Sequence, residues 1–211
     1  SLRGGATNSD GTNVYIDGVG QKSYVKGGGV AGQSGSAGNP FPQLAIGEYK
    51  VITGNYKAEY GQVSSAAVTA ATKSGTNEFK GETFYRYTND SMRAMTPAER
   101  QPGKGKEDSA EKEYGFALGG PIVKDKAHFF VTYEAKRFDL PVTIAPHGSV
   151  TNKANRVPAD AQAGLGPASQ PFQQDLIFAK VDFEPTDNDR LELTFQDRDE
   201  TQQQFSDQTA P

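Results

Sequence analysis

Phe129-Phe130-Val131-Thr132-Tyr133-Glu134-Ala135-Lys136 decides how this chain folds. Phe129, Val131, Tyr133 and Ala135 form one alternate set, all apolar, and Phe130, Thr132, Glu134 and Lys136 form the other, mostly polar. A period of two puts these sets on opposite faces of a β-strand. Four other stretches repeat the pattern. Phe79, Gly81, Thr83, Tyr85 and Tyr87 oppose Lys80, Glu82, Phe84 and Arg86, and Tyr114, Phe116 and Leu118 oppose Gly115, Ala117 and Gly119. Further on, Ile177, Ala179, Val181 and Phe183 oppose Phe178, Lys180 and Asp182, while Leu191, Leu193 and Phe195 oppose Glu192, Thr194, Gln196 and Arg198.

The connections alternate short and long. Pro121 to Lys126 and Glu184 to Asp189 read as tight turns, with Asp125, Pro185 and Asp187 supplying turn chemistry. Residues 89–112 and 140–170 read as long polar loops. Structureless loops of that length count against a compact soluble domain. They suit an outer-membrane barrel, which has short periplasmic turns, long extracellular loops and strands of about ten residues. Aromatic residues near strand ends (Tyr85, Tyr87, Phe129, Phe138, Phe183) suit interfacial girdles. A soluble antiparallel sandwich of an adhesin-like binding protein shares the alternation and stays open as the alternative.

Composition agrees with either β architecture. Of 211 residues only 35% are hydrophobic, and 24 glycines and 12 prolines favour turns over helix. Mean hydropathy is -0.66. No run approaches the roughly 20 apolar residues of a spanning helix, whereas barrel strands never look hydrophobic on average. Net charge is -4, with cations scattered rather than gathered in a stripe, so nucleic-acid binding gets no support. Cysteine is absent, which removes disulfides and thiolate metal sites. The start at Ser1-Leu2-Arg3-Gly4 lacks a signal peptide's charged and apolar regions, so the chain is expected to begin inside a longer domain.

Residues 1–77 differ in texture from residues 78–211, being rich in glycine, serine and alanine with short β-like runs at Asn13 to Ile16, Tyr49 to Thr53 and Ala66 to Ala71. Gly27 to Gly38 is almost all small residues and reads as a flexible loop, because little side chain is available to offset its ordering entropy. Catalytic and cofactor chemistry lack material. Gly27, Gly29 and Gly32 have G-x-G-x-x-G spacing, but Gln33-Ser34-Gly35-Ser36 is no helix start. Gly20-Gln21-Lys22-Ser23 lacks the glycine a phosphate loop needs before its lysine. His128 and His147 are the only histidines, too few for a multi-histidine metal site. Asn8-Ser9-Asp10-Gly11 and Asp187-Asn188-Asp189 read as plain turns rather than cation loops. The expectation is a non-enzyme without cofactor or metal.

An ordered set of motifs then adds a resemblance. Leu2-Arg3-Gly4-Gly5, Val14-Tyr15-Ile16-Asp17-Gly18-Val19, Leu44-Ala45-Ile46-Gly47-Glu48-Tyr49-Lys50-Val51 and Ala58-Glu59-Tyr60-Gly61 come first. They are followed by Ala66-Ala67-Val68-Thr69-Ala70-Ala71-Thr72-Lys73-Ser74-Gly75-Thr76-Asn77 and by Gly119-Gly120-Pro121-Ile122-Val123-Lys124-Asp125-Lys126. In this order they resemble TonB-dependent outer-membrane receptors, most closely the Oar-like branch, over residues 1 to about 140. The resemblance implies a mixed α/β plug ending near residue 77, followed by the first antiparallel strands of a transmembrane β-barrel. Transporters of this kind have about 22 strands around a plugged lumen.

It also implies a bacterial outer-membrane location, contact with outer-membrane lipid, and TonB as a partner through a box upstream of this chain. The function implied is transport of an unidentified ligand. Lys26, Gly27, Gly28, Gly29, Gln33 and Ser34 become candidate ligand contacts on a plug loop, and Arg3 and Glu48 candidate members of a plug ion network. Thr53-Gly54-Asn55 departs from the Arg-Gly-Pro that many siderophore receptors carry there, so a plug ion pair using that arginine must differ here.

Overall fold

A computed structural model describes residues 12–22, 36, 38–54, 57, 59–61, 63, 66–97, 99–100, 105–106, 108–144, 166–186 and 188–202. Among the described residues nine strands run in order: β1 (Thr12–Ile16), β2 (Val19–Gly20), β3 (Ile46–Ile52), β4 (Ala66–Thr72), β5 (Lys80–Asn89), β6 (Ala110–Val123), β7 (Ala127–Ile144), β8 (Gly166–Thr186) and β9 (Asp189–Gln202). They make two sheets, a four-stranded one ordered β2-β1-β4-β3 and a five-stranded meander ordered β5-β6-β7-β8-β9. Two short 3-10 turns, Gln43–Ala45 and Asp90–Met92, are the helical elements among the described residues. The structure is therefore mainly antiparallel β, in keeping with a fragment of an outer-membrane barrel.

In the small sheet, Asp17-Gly18 makes the β1–β2 hairpin. Both residues have positive φ (47° and 82°), as a two-residue turn matched to strand twist requires, and Ile16 faces Val19 across it. The β-like run read at Asn13 to Ile16 is thus the first arm of a hairpin, and Asp-Gly between alternating apolar residues is a strong hairpin signal. β1 pairs parallel with β4 from Thr12/Ala66 to Ile16/Ala70, and β3 pairs antiparallel with β4.

The strands of the large sheet outrun the sequence reading. β7 continues to Ile144 and β8 starts at Gly166, while β6 starts at Ala110, so the segments 140–170 and 89–112 give up residues at their ends to strand. Ladder hydrogen bonds are made by backbone and need no apolar side chain, so polar strand ends leave no period-two signature. At about 3.3 Å per residue, the 21 residues of β8 reach about 70 Å, well beyond a hydrocarbon core.

Side chains of the large sheet sort by parity. Exposed on one face are Phe79, Tyr85 and Tyr87 of the first segment, Tyr114, Phe116, Leu118 and Ile122 of β6, Ile177, Val181 and Phe183 of β8, and Leu191, Leu193 and Phe195 of β9. The first charged residues of the same parity are Lys112, Arg137, Asp175 and Asp197, so on each of these strands the apolar run ends abruptly. The opposite parity is buried in Phe130, Thr132 and Glu134 on β7 and in Phe172, Gln174, Leu176, Phe178, Lys180 and Asp182 on β8. Phe138 belongs to this second parity and stacks on Phe172 at 4.4 Å, so it is not the outward girdle residue that its place near a strand end suggested.

The chain divides into two compact units. One holds Ser1–Phe84, Tyr114–Ala135 and Asp175–Asp199, and its core brings Ile16, Phe41, Leu44, Ala45 and Ala70 together with Ala117, Phe130 and Phe178. The other holds Tyr85–Glu113, Lys136–Gln174 and Glu200–Pro211. There the β5–β6 connection is organised by its own side chains: Asn89 Oδ1 caps the 3-10 turn by accepting from Met92 N (3.1 Å), and Arg93 makes a two-pronged pair with Glu99. Lys106 Nζ donates to Arg93 O at 2.6 Å.

Candidate functional site

The seam within the first unit, where the four-stranded sheet meets the buried parity of β6–β8 and side chains from β9, carries the chemistry. Its apolar part is a wedge. Phe41 meets Phe178 edge-on at 5.1 Å between ring centroids, and Phe178 meets Phe130 at 6.4 Å, the favoured arrangement for aromatic pairs. Phe178 and Ala45 are both 0% exposed, so this wedge excludes water. Phe130 and Phe178 lie on the parity read as the polar face. They are apolar because here the face meets protein rather than water.

Around the wedge sit polar grips. Glu134 Oε1, from buried β7, accepts the backbone N–H of Leu44 at 2.6 Å, at the start of the Gln43–Ala45 turn. Gln196 Nε2 donates to Pro40 O at 3.2 Å, and Arg198 donates to Ser36 Oγ at 2.9 Å. At the end of β4, Asp17 accepts from the Thr72 backbone N–H (2.9 Å) and from Thr72 Oγ1 (2.6 Å). Lys180 Nζ in turn donates to Thr72 Oγ1 at 3.1 Å, lies 3.8 Å from Asp17 Oδ2, and pairs with Glu192 Oε1 at 2.7 Å. Arg190 holds Asp182 at 2.9 Å and stands 3.6 Å from the second Glu192 oxygen. A buried ammonium needs such partners, since an unpaired buried charge costs several kcal/mol.

The link between the sheets is fixed as well. Lys73 N donates to Ala45 O (2.7 Å), and the Lys73 ammonium pairs with Glu82 at 3.2 Å. Gly75 passes so close to β7 that a Cβ there would lie 2.2 Å from Phe129 O. Asn77 Oδ1 then accepts from Asp125 N at 2.8 Å and lies 2.8 Å from His128 Nε2, while its amide donates to the Asp125 carboxylate. Asp125, at φ 62°, is held by this clasp in the tight β6–β7 turn.

Of the residues singled out from sequence, Arg3, Lys26, Gly27, Gly28, Gly29, Gln33 and Ser34 lie outside the described residues. Glu48 is exposed on β3. The ion pair that crosses the seam joins Asp17 to Lys180, which also pairs with Glu192 on its own sheet; sequence reasoning had placed Lys180 and Glu192 on the polar parity without a partner. Among the described residues, no group of three or more His, Cys, Asp or Glu could hold a metal ion.

The two faces of the sheet thus differ: one carries exposed apolar side chains, and the other is buried along β6–β8 against a small sheet through an aromatic wedge, ion pairs and backbone contacts. A family model described as an outer membrane beta barrel domain matches residues 71–157, which cover β5 to β7 and the link before them. The chain carries strands of an outer-membrane β-barrel. The exposed parity of the barrel strands is accordingly the lipid face, and the protein resides in the outer membrane. The chain is also similar to the TonB-dependent transporter Oar of Myxococcus xanthus, 33% identical over 92 residues. That stretch is 42% of this chain and 9% of the relative, so the chain spans less than a tenth of that protein.

Proposed function

We propose that this chain is part of a TonB-dependent transporter, with the four-stranded sheet forming the rear of its plug and β5–β9 the first strands of the surrounding wall. The observation that carries the reading is the seam: a small sheet held on the inner parity of a membrane sheet by a small aromatic wedge ringed by hydrogen bonds and ion pairs rather than by a continuous apolar core. A covalent or wholly apolar joint would not release, and a plug must. The similarity to a TonB-dependent transporter supports TonB as the partner that supplies the force. The ligand is unidentified. The run holding Lys26, Gly27, Gly28, Gly29, Gln33 and Ser34 is proposed as its contact on the plug, with Arg3 and Glu48 in the plug's ion network. Transport, without catalysis, is the role assigned. An adhesin-like sandwich would need a second sheet over the oily parity, and Leu193 on that parity is 72% exposed.

Ala45 offers the test, because it is fully buried in the seam and the chain has no cysteine of its own. In cells making the intact protein with Ala45→Cys, a membrane-impermeant maleimide should label this position only when TonB is present. The same protein without the introduced cysteine serves as blank. Equal labelling in cells with and without TonB would overturn the TonB-dependent reading.

A further inference from the structure

Lys180 is 4% exposed, and its ammonium serves both layers of the seam. On the wall side it meets Glu192 Oε1 at 2.7 Å, and on the sheet side Thr72 Oγ1 at 3.1 Å and Asp17 Oδ2 at 3.8 Å. Glu192 and Lys180 sit on β9 and β8, neighbouring strands of one sheet, so they stay together whatever the small sheet does. Asp17 belongs to the β1–β2 hairpin and Thr72 to β4 beside it, and they are bonded to each other twice. Asp182, an acid of β8 itself, bonds Arg190 through Oδ1 at 2.9 Å, and Glu192 is the wall carboxylate at ion-pair distance from Lys180.

We propose that Lys180 is a partner-exchange latch, gripping the Asp17–Thr72 pair when the four-stranded sheet is seated and falling back on Glu192 when the sheet lifts. The inference rests on the transport reading for its purpose, since a latch matters only if the sheet moves. Its physics is independent of that reading. A buried ammonium that lost all its partners on release would hold the sheet down, because stranding the charge is costly. With Glu192 already in contact, release exchanges shares of one bond network instead of abandoning a charge. The sheet side has the matching property: Asp17 and Thr72 satisfy one another once Lys180 has gone.

A latch of this kind predicts opposite signs for its two arms, whereas a static ion cluster predicts the same sign for both. The experiment uses the purified intact protein carrying Ala45→Cys, in detergent micelles without TonB, and reads the rate of labelling by N-ethylmaleimide. Asp17→Asn removes the carboxylate that faces the buried ammonium 3.8 Å away and should speed labelling by about tenfold, the order expected when a buried ion pair is weakened. Glu192→Gln removes the fallback and should slow it by a similar factor. Glu192→Asp, which keeps the charge but shortens the reach, should slow it less and covers the case in which the glutamine variant does not assemble. If either Glu192 variant speeds labelling as Asp17→Asn does, or if the rates do not change, the latch is overturned. Should the signs hold in micelles while labelling in cells proves independent of TonB, the latch stands and the transport reading falls.

Discussion

Gly75→Ala is expected to unseat the four-stranded sheet from the wall although it adds a single methyl group. The added Cβ would lie 2.2 Å from Phe129 O, 2.8 Å from Phe129 N and 2.9 Å from His128 Cβ, and two of those three atoms are backbone. A flexible side chain could swing away, but the backbone of β7 is tied into the sheet and cannot yield without breaking ladder bonds. Forced overpacking of this sort costs about 1–3 kcal/mol and more where nothing relaxes. We expect the upper end, about 3 kcal/mol, equivalent to a factor of about 100 in the seated population. The link then loses its close passage between Lys73 and the Asn77 clasp, so Thr72 cannot present its hydroxyl to Lys180. The measurement is limited proteolysis of the intact protein in outer membranes. Cleavage between β4 and β5 should appear in the variant and not in the parent. Gly54→Ala, where a Cβ meets nothing within 4 Å, is the matched control and should change nothing. Protection equal to the parent's in Gly75→Ala would show that the link does not run against β7.

The contrast between these two glycines shows which parts of the molecule a sequence reveals. Nothing in Ser74-Gly75-Thr76 announces a close approach to a strand some fifty residues later. The alternation of Ile177, Val181 and Phe183 against Lys180 and Asp182, by comparison, is local and was readable, because a strand's two faces repeat every second residue. Strand ends were not readable, since the sequence of Gly166 to Gln170 carries no apolar-polar alternation although these residues are strand. Phe138 was misplaced because its position near a strand end was weighed before its parity, which it shares with Glu134 and Lys136. The seam was the least legible part. Leu44 and Glu134 are 90 residues apart and Thr72 and Lys180 are 108 apart, and no spacing rule links such pairs in a single sequence. What could have been found is Asp17: Asp-Gly flanked by Val14, Ile16 and Val19 fixes a two-residue hairpin. That places a carboxylate at the edge of the small sheet, ready for a cation.

Val181→Arg is expected to keep the protein out of the membrane, while Asp197→Arg leaves assembly intact. Both positions share the exposed parity, so neither substitution touches the seam. Val181 lies within the apolar run from Ile177 to Phe183, near its middle, and is 36% exposed. Asp197 follows Phe195, where the run on β9 has already given way to charge. On the lipid face of a barrel an arginine costs about 2–4 kcal/mol at mid-depth and about 0–1 kcal/mol near the interface. The introduced arginine is thus expected to cost about 1–4 kcal/mol more at Val181 than at Asp197, a factor of about 5 to about 1000 in insertion, according to depth. A soluble sandwich would not rank the two in this way, since an exposed valine in water accepts arginine at almost no cost. The readout is the amount of intact protein in the outer-membrane fraction that migrates differently on a gel before and after heating. Loss confined to Val181→Arg is the expected result. If Val181→Arg assembles as fully as Asp197→Arg, lipid does not contact this face and the barrel assignment of β8 fails. The test is sharp because it ignores ligand, partner and plug alike: only the oil around the sheet can tell these two arginines apart.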